Sequence, residues 1–301
     1  MTDTPASSLS SPLASDWRSR MGDEPFTERT PRIVNAAKLH RASVRRKTGR
    51  FLAEGSNSVI SALRHGRVVE VFLTEDALDS FGRDLDSLTD TDNRDGGDRR
   101  GVIVHLITDR AAHALSESVT STGLFALCST QLVTLDEVVT SGGRVLAVGV
   151  ETAEPGNAGA LVRVADATGT GGVIFAGETV DPQGGKAVRS SAGSLFHLPV
   201  ARHTSIPEVV DQLREQGYAI LATSGDGDVT LDDAAVAADG ETPLLAQKVA
   251  WLFGNEAHGL GDWQDLADVR VSIPMQGRAE SFNLVTAAAV CLYETARVAR
   301  V

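Results

Sequence analysis

The chain has 301 residues, 42% of them hydrophobic, and a formal net charge of −12. That length allows about two domains with real cores. No run of eighteen apolar residues occurs, and the N-terminus MTDTPASSLSSPLASDWRSR lacks a charged segment followed by an apolar one. Neither a membrane span nor a secretory signal is therefore expected, and the expected location is the cytoplasm. In chain order, residues 1–25 are rich in Ser, Thr, Pro and Asp and are expected to be a disordered tail. Thr30 to Gly49 suits one basic helix, with Ile33, Ala36, Ala37 and Leu39 near helical spacing. A short strand at Phe51–Ala53, a helix at Ser56–Arg64 and a β-branched strand at Val68–Thr74 follow. Residues 82–100 are acidic and contain Gly96 and Gly97, which predicts a flexible loop. GVIVHLIT predicts a strand, AAHALSESV a short helix, and FALCSTQLV (Phe125–Val133) closes a small α/β unit.

Ser141–Gly143 marks a boundary, so 134–143 is expected to be a linker and 144–301 a second domain. Strands are predicted at Val145–Val150, Gly172–Phe175, Leu195–Val200, Ala219–Thr223, Val249–Phe253 and Val269–Ile273. Helices are predicted at Ala158–Thr168, near Lys186–Ala192, at Ile206–Glu215 and at Phe282–Arg297. Such alternation implies an α/β fold, a mostly parallel sheet with helices on both faces.

The charge is uneven. Between Arg18 and Arg50 stand ten Lys or Arg and only three acids, Asp23, Glu24 and Glu28. A local basic segment can supply phosphate contacts on an acidic protein, because screening confines the field to roughly 8 Å at physiological salt. A solvated helix face explains the same run. Cys128 and Cys291 stand far apart in apolar settings without a CxxC partner, as buried thiols do in a reducing compartment. Seven scattered His give no metal spacing, so no metal is expected. GTGGVI at Gly169–Ile174 fails the dinucleotide fingerprint, with Ile174 at the third glycine position, and GGK at Gly184–Lys186 fails the P-loop pattern.

Three segments carry polar residues that a plain connection does not need. EPGNAGALVRVADATG (Glu154–Gly169) opens on a Pro-Gly turn, with Asn157 placed to cap a helix and Gly159, Arg163 and Asp166 sharing a face. The plain structural reading is a cap, a close packing contact and a surface Arg–Asp pair. LFGNEAHGL (Leu252–Leu260) places Gly254, Asn255 and Glu256 directly after a buried strand, where Gly254 would let a ligand approach. IPMQGRAESFNLVTAAAVCLYE (Ile273–Glu294) sets Ser281 and Asn283 at a helix start, where capping suits Ser281 better than Asn283. Strand ends of this kind are where α/β sheets bind ligands.

Together, in this order, the three segments resemble the motifs of the SpoU (TrmH-like) RNA ribose methyltransferases. The resemblance implies a C-terminal domain with a deep trefoil knot, and a smaller N-terminal α/β domain over residues 26–133 that binds the RNA substrate. It implies methyl transfer from S-adenosylmethionine to a ribose 2′-hydroxyl, ribosomal RNA being favoured over transfer RNA, and a homodimer. The family's catalytic positions fall on Asn157, Arg163, Glu256, Ser281 and Asn283, with Arg163 beside the reacting hydroxyl. Its cofactor contacts fall on Thr223, Ser224, Gly225, Leu252, Gly254, Asn255, Ile273, Met275 and Phe282. Arg29, Arg32, Lys38, Arg41, Arg45, Arg46, Lys47 and Arg50 are the expected RNA contacts. Departures are Glu154 where Asp is usual, Phe282 where Leu is usual, and the sequence Leu284–Thr286. A non-catalytic RNA-binding protein that kept the fold, or a transfer-RNA methyltransferase, are the alternatives.

Overall fold

A computed structural model describes residue 17 and residues 21–22, 24–89, 102–237, 241–255 and 258–299. The first unit begins with two short helices, α1 (Pro31–Ala37) and α2 (Ala42–Thr48), separated by a single tight turn. The expected continuous basic helix is thus broken: Arg41 takes an extended backbone, and Gly49 closes α2 in the left-handed region. Strand β1 (Arg50–Glu54), α3 (Ser56–His65), β2 (Val68–Leu73), α4 (Glu75–Thr89), β3 (Ile103–Leu106), α5 (Asp109–Leu115) and β4 (Leu124–Ser129) follow. The four strands form a mixed sheet in the order β1-β4-β2-β3. Alternation along the strands builds two faces. Leu52, Phe72 and Phe125 pack with Ile33, Ile107 and Leu115 on one, while Phe51, Val71, Leu73 and Leu124 pack with Val59 and Leu63 on the other.

Two expectations fail here. Residues 82–89 continue helix α4 instead of forming a loop, because Leu85 is buried in the core and Asp86 accepts a hydrogen bond from Trp17 Nε1 at 2.9 Å. Residues 90–100 of that expected loop lie outside the described residues, as does most of the expected disordered tail. Within that tail, Trp17 is nonetheless buried.

The chain passes between sheets at Thr130–Gln131. Strand β5 (Leu132–Val133) already belongs to the second sheet, and the expected linker holds helix α6 (Leu135–Ser141). Thr134 and Glu137 make a reciprocal cap there, each side chain bonding the other's backbone. The second sheet then adds β6 (Val145–Val150), α7 (Pro155–Thr168), β7 (Val173–Ala176), α8 (Gly185–Ser191), β8 (Val200–His203), α9 (Ile206–Glu215), β9 (Ala219–Thr223), β10 (Val229–Thr230), α10 (Leu231–Ala234), β11 (Val249–Phe253), β12 (Val269–Ser272) and α11 (Leu284–Val298). The strand expected at Leu195–Val200 starts only at Val200. Ser194–Phe196 is a helical turn that buries Leu195 and Phe196, and Pro199 cannot donate within a central strand.

All eight strands are parallel, in the order β10-β12-β9-β11-β6-β7-β8-β5. One face packs Ala147, Phe175, Leu221, Trp251 and Phe253 against α7 and α11. The other packs Val148, Ile174, Ile220 and Leu252 against α6 and α9. Trp251 Nε1 donates to Thr295 Oγ1 at 3.0 Å, which ties α11 to the sheet. A Cβ on Gly159 would meet the Ala187 carbonyl, so this glycine lets α7 and α8 touch. Both cysteines are buried, which pushes their thiols upward and leaves them in the neutral form. Among the described residues no helix is long and apolar enough to cross a membrane.

Candidate active site

Parallel strands bring all their C-terminal ends to one edge, and three neighbours there, β12, β9 and β11, open into turns. The turns enclose a cleft of about 300 Å³. Of the residues expected to hold a cofactor, Thr223, Ser224, Gly225, Gly254, Asn255, Ile273, Met275 and Phe282 line it, with Ser281 from the catalytic set. Leu252 does not: its side chain lies in the core on the sheet's other face, and only its carbonyl turns to this end, accepting from Thr223 Oγ1 at 3.4 Å. Phe253, Gly259, Leu260, Val271, Glu280, Leu284 and Ala287 complete the wall. The sequence reading passed over these. Leu284 and Ala287 share a helix face at i and i+3, which was the signal available.

The turns after β9 and β11 are braced from behind. Ser224 Oγ donates to Asp226 Oδ1 at 2.5 Å, and that hydroxyl holds the Asp226 carboxyl below its usual range. Arg270 grips Asp228 at 2.7 and 3.3 Å beside it. Asn255 and Gly259 exchange backbone hydrogen bonds at 2.9 and 2.8 Å, and Asn255 Nδ2 donates to the Glu151 carbonyl at 2.8 Å. Gly254 was expected to admit a ligand. A Cβ there would instead meet the backbone of Gly259 and Leu260, so it admits its own loop. At Gly225 the reverse holds, since a Cβ meets nothing within 4 Å. Met275 and Phe282 present exposed apolar surface, and Glu280 brings a carboxylate to the same cleft.

The remaining catalytic candidates divide. Asn283, not Ser281, caps α11, accepting from Val285 N at 2.9 Å, which reverses the capping roles expected from sequence. Glu154, not Asn157, caps α7, accepting from Gly156 N at 3.2 Å, and its other partner is Lys186. Hydrogen bonding from Lys186 and from that backbone holds Glu154 below its usual range. Arg163 is exposed on α7, outside the cleft wall and about 12 Å along the helix from its first residue at 1.5 Å per residue. The expected Arg163–Asp166 pair does not form, because Asp166 bonds His197 Nδ1 at 2.8 Å. Among the described residues Arg163 has no hydrogen bond or ion pair. Glu256 lies outside the described residues. No three His, Cys, Asp or Glu among the described residues gather as metal ligands do.

The basic segment is not one surface. Arg41, Arg46, Lys47 and Arg50 are exposed. Arg29 lies 3.9 Å from Glu28, and Lys38 donates to Asn35 at 3.0 Å. Arg32 pairs with Glu70 at 2.6 Å, and His105, also bonded to Glu70, is the main cause that holds this carboxyl low. Arg45 is buried and bonded to Asp181, so it is removed from the set of expected RNA contacts.

Residues 144–293 match the SpoU rRNA Methylase family. The 23S rRNA (guanosine(2553)-2′-O)-methyltransferase RlmP of Bacillus subtilis (strain 168) is 29% identical over 263 residues, 87% of this chain and 94% of that protein. The 23S rRNA (uridine(2479)-2′-O)-methyltransferase of Streptomyces viridochromogenes is 42% identical over 149 residues, 48% of this chain and 49% of that one. Among solved structures, the SpoU methyltransferase AviRb of Streptomyces viridochromogenes in complex with AdoMet has a TM-score of 0.73 at 29% identity, covering 89% of this chain and 98% of that one. Residues 144–293, the segment that holds the cleft, are thus a SpoU rRNA methylase domain.

Proposed function

We propose that this protein is an S-adenosylmethionine-dependent RNA methyltransferase that methylates a ribose 2′-hydroxyl in ribosomal RNA. One observation carries the reading: three turns, at the C-terminal ends of adjacent parallel strands within the family segment, meet around one cleft. The cleft suits the methyl donor. Open space at Gly225 admits it, Met275 and Phe282 offer apolar faces to an adenine, and Glu280 offers negative charge to a cationic ligand. When bound, the donor would supply a methyl group from its sulfonium sulfur, the S–CH3 bond breaking as the 2′-oxygen takes the methyl and gives up its proton. In-line displacement needs positioning more than strong acid–base help.

In our reading Arg163 grips an RNA phosphate beside the reacting hydroxyl, a role suited to a planar fork of donors. Glu256 orients Arg163 or Asn157, and Asn283 holds the start of α11. Since Arg163 stands outside the wall of its own cleft, a second copy seated beside the cleft brings the two together. Exposed Val290 and Tyr293 on α11 support such a face, and a two-fold dimer is the commonest oligomer. The trefoil knot is supported by the strand order, with late strand β11 between β9 and β6. Residues 26–133 serve as the RNA-binding unit through Arg41, Arg46, Lys47 and Arg50, and we place the protein in the cytoplasm. The two relatives act on guanosine and on uridine, and what their targets share is the ribose 2′-oxygen.

Calorimetry tests the cleft. Gly225 has an ordinary backbone and open space, so Gly225→Leu is expected to fold and to weaken S-adenosylmethionine binding by at least about tenfold, or 1.4 kcal/mol. Unchanged affinity would move the cofactor elsewhere.

A further inference from the structure

The basic helix α2 meets the methyltransferase unit through one buried ion pair. Arg45 turns away from the exposed cations around it, and its Nε donates to Asp181 Oδ2 at 2.7 Å, with the two side chains only 9% and 11% exposed. Arg45 Nη1 donates to the Leu39 and His40 carbonyls at 2.7 and 3.0 Å. The other Asp181 oxygen accepts from Gln183 N at 3.0 Å. A buried pair of this kind is weak evidence for stability, since apolar residues of equal volume often do as well, but its bonds fix direction. Asp181 lies in the loop after β7, at the same sheet edge as the cleft. Strand β7 is two places from β11, about 10 Å at the usual strand spacing.

We propose that Arg45 and Asp181 are positioning residues that set the register between the RNA-binding face and the methyl-transfer cleft. They touch neither RNA nor cofactor. They hold Arg41, Arg46 and Lys47 at a fixed place relative to the cleft, so that RNA gripped by those cations presents its ribose hydroxyl there. The proposal rests on the methyltransferase reading above. Other contacts keep the two units docked when the pair is broken: Arg189 bonds Glu54 at 2.9 Å, His197 lies 3.2 Å from Ser61, and Phe51 stacks on Phe196. What is lost is register, and misplacement by about 1 Å costs on the order of a hundredfold in rate.

The test uses the full chain, in-vitro-transcribed 23S rRNA and S-adenosylmethionine. Asp181→Asn keeps the shape of the side chain and removes its charge. Arg45→Lys keeps the charge and loses the fork. In both, the single-turnover methyl-transfer rate at saturating substrates is expected to fall at least about tenfold. RNA affinity, its salt slope and S-adenosylmethionine affinity are expected to stay within about twofold. Removing an acid cannot weaken a phosphate contact electrostatically, so a slow, tight-binding Asp181→Asn isolates the positioning role. Unchanged rates in either folded variant would reduce the pair to packing and overturn the proposal. So would a salt slope lowered by about one in Arg45→Met but not in Asp181→Asn, which would make Arg45 a phosphate contact. If the wild-type chain itself transfers no methyl group while folded, the enzymatic reading fails and takes the proposal with it. If Asp181→Asn does not fold, Arg45→Lys gives the same readout.

Discussion

The cleft and the basic face do their binding in different ways. The cleft is walled by turns at three strand ends, and the position of its residues follows from the sheet beneath them. The basic face is a set of long side chains on two short helices and their flanks: Arg32 pairs with Glu70, Arg45 is buried against Asp181, and Arg41, Arg46 and Lys47 stay exposed. The difference teaches that a turn motif keeps its place because the backbone has nowhere else to go. A run of cations has no such constraint, and neighbours in sequence end up buried, paired or free.

The largest expected effect separates chemistry from cofactor binding. Arg163→Ala should lower methyl transfer by about a thousandfold or more, while S-adenosylmethionine affinity changes less than about twofold. Single-turnover rates and calorimetry on the same preparation check it, and wild-type turnover would remove Arg163 from the site. Next comes the cleft's own backbone. Gly254→Ala pushes a methyl group into the Gly259–Leu260 backbone and should destabilise the chain by about 1–3 kcal/mol while weakening cofactor binding. Thermal melts with and without S-adenosylmethionine measure both, and an unshifted melt would mean that this loop gives way freely.

The basic face should respond through salt. Reversing Arg41, Arg46 and Lys47 to Glu should flatten the dependence of log affinity on log salt by about two to three. Arg32→Ala should leave that slope unchanged, since Glu70 already occupies its guanidinium. Equal effects of the two changes would erase the distinction between free and paired cations. The smallest effect is on acid stability. Glu70 is held below its ordinary value of 4.5, chiefly by His105 and then by Arg32. Such a group stabilises the fold above its unfolded value and loses that contribution as pH falls through its folded one. Stability should therefore decline below about pH 4.5, and Glu70→Gln should flatten part of that decline in urea titrations across pH.

The alternation of strands and helices from Val145 onward made the parallel sheet legible, because a doubly covered strand must be apolar throughout, as Val249–Phe253 is. The cleft was legible for a related reason: its residues sit where those apolar runs stop. Phe253 and Val271 were missed because they read as core, and they are core as well as wall. The Leu252 side chain leaves the cleft because adjacent strand residues face opposite sides, so only its main chain reaches that end. Long-range partners were not legible. Nothing near Arg45 announces Asp181, 136 positions away, and nothing near Asp86 announces Trp17. The capping roles of Glu154 and Asn283 depended on where each helix begins, three residues earlier for α7 and two later for α11 than the spacing predicts, which sequence leaves undefined.

The central claim is methylation of a ribose 2′-hydroxyl, and alkali tests it most directly. The 2′-hydroxyl is the nucleophile of alkaline RNA cleavage, so a methyl group there blocks the break on its 3′ side. Unmodified ribosomal RNA incubated with the protein and labelled S-adenosylmethionine should gain label at one nucleotide and resist alkali at that same position. Digestion should leave the label on the ribose. Label found on a base, or labelled RNA that alkali still cuts at that position, would contradict the account.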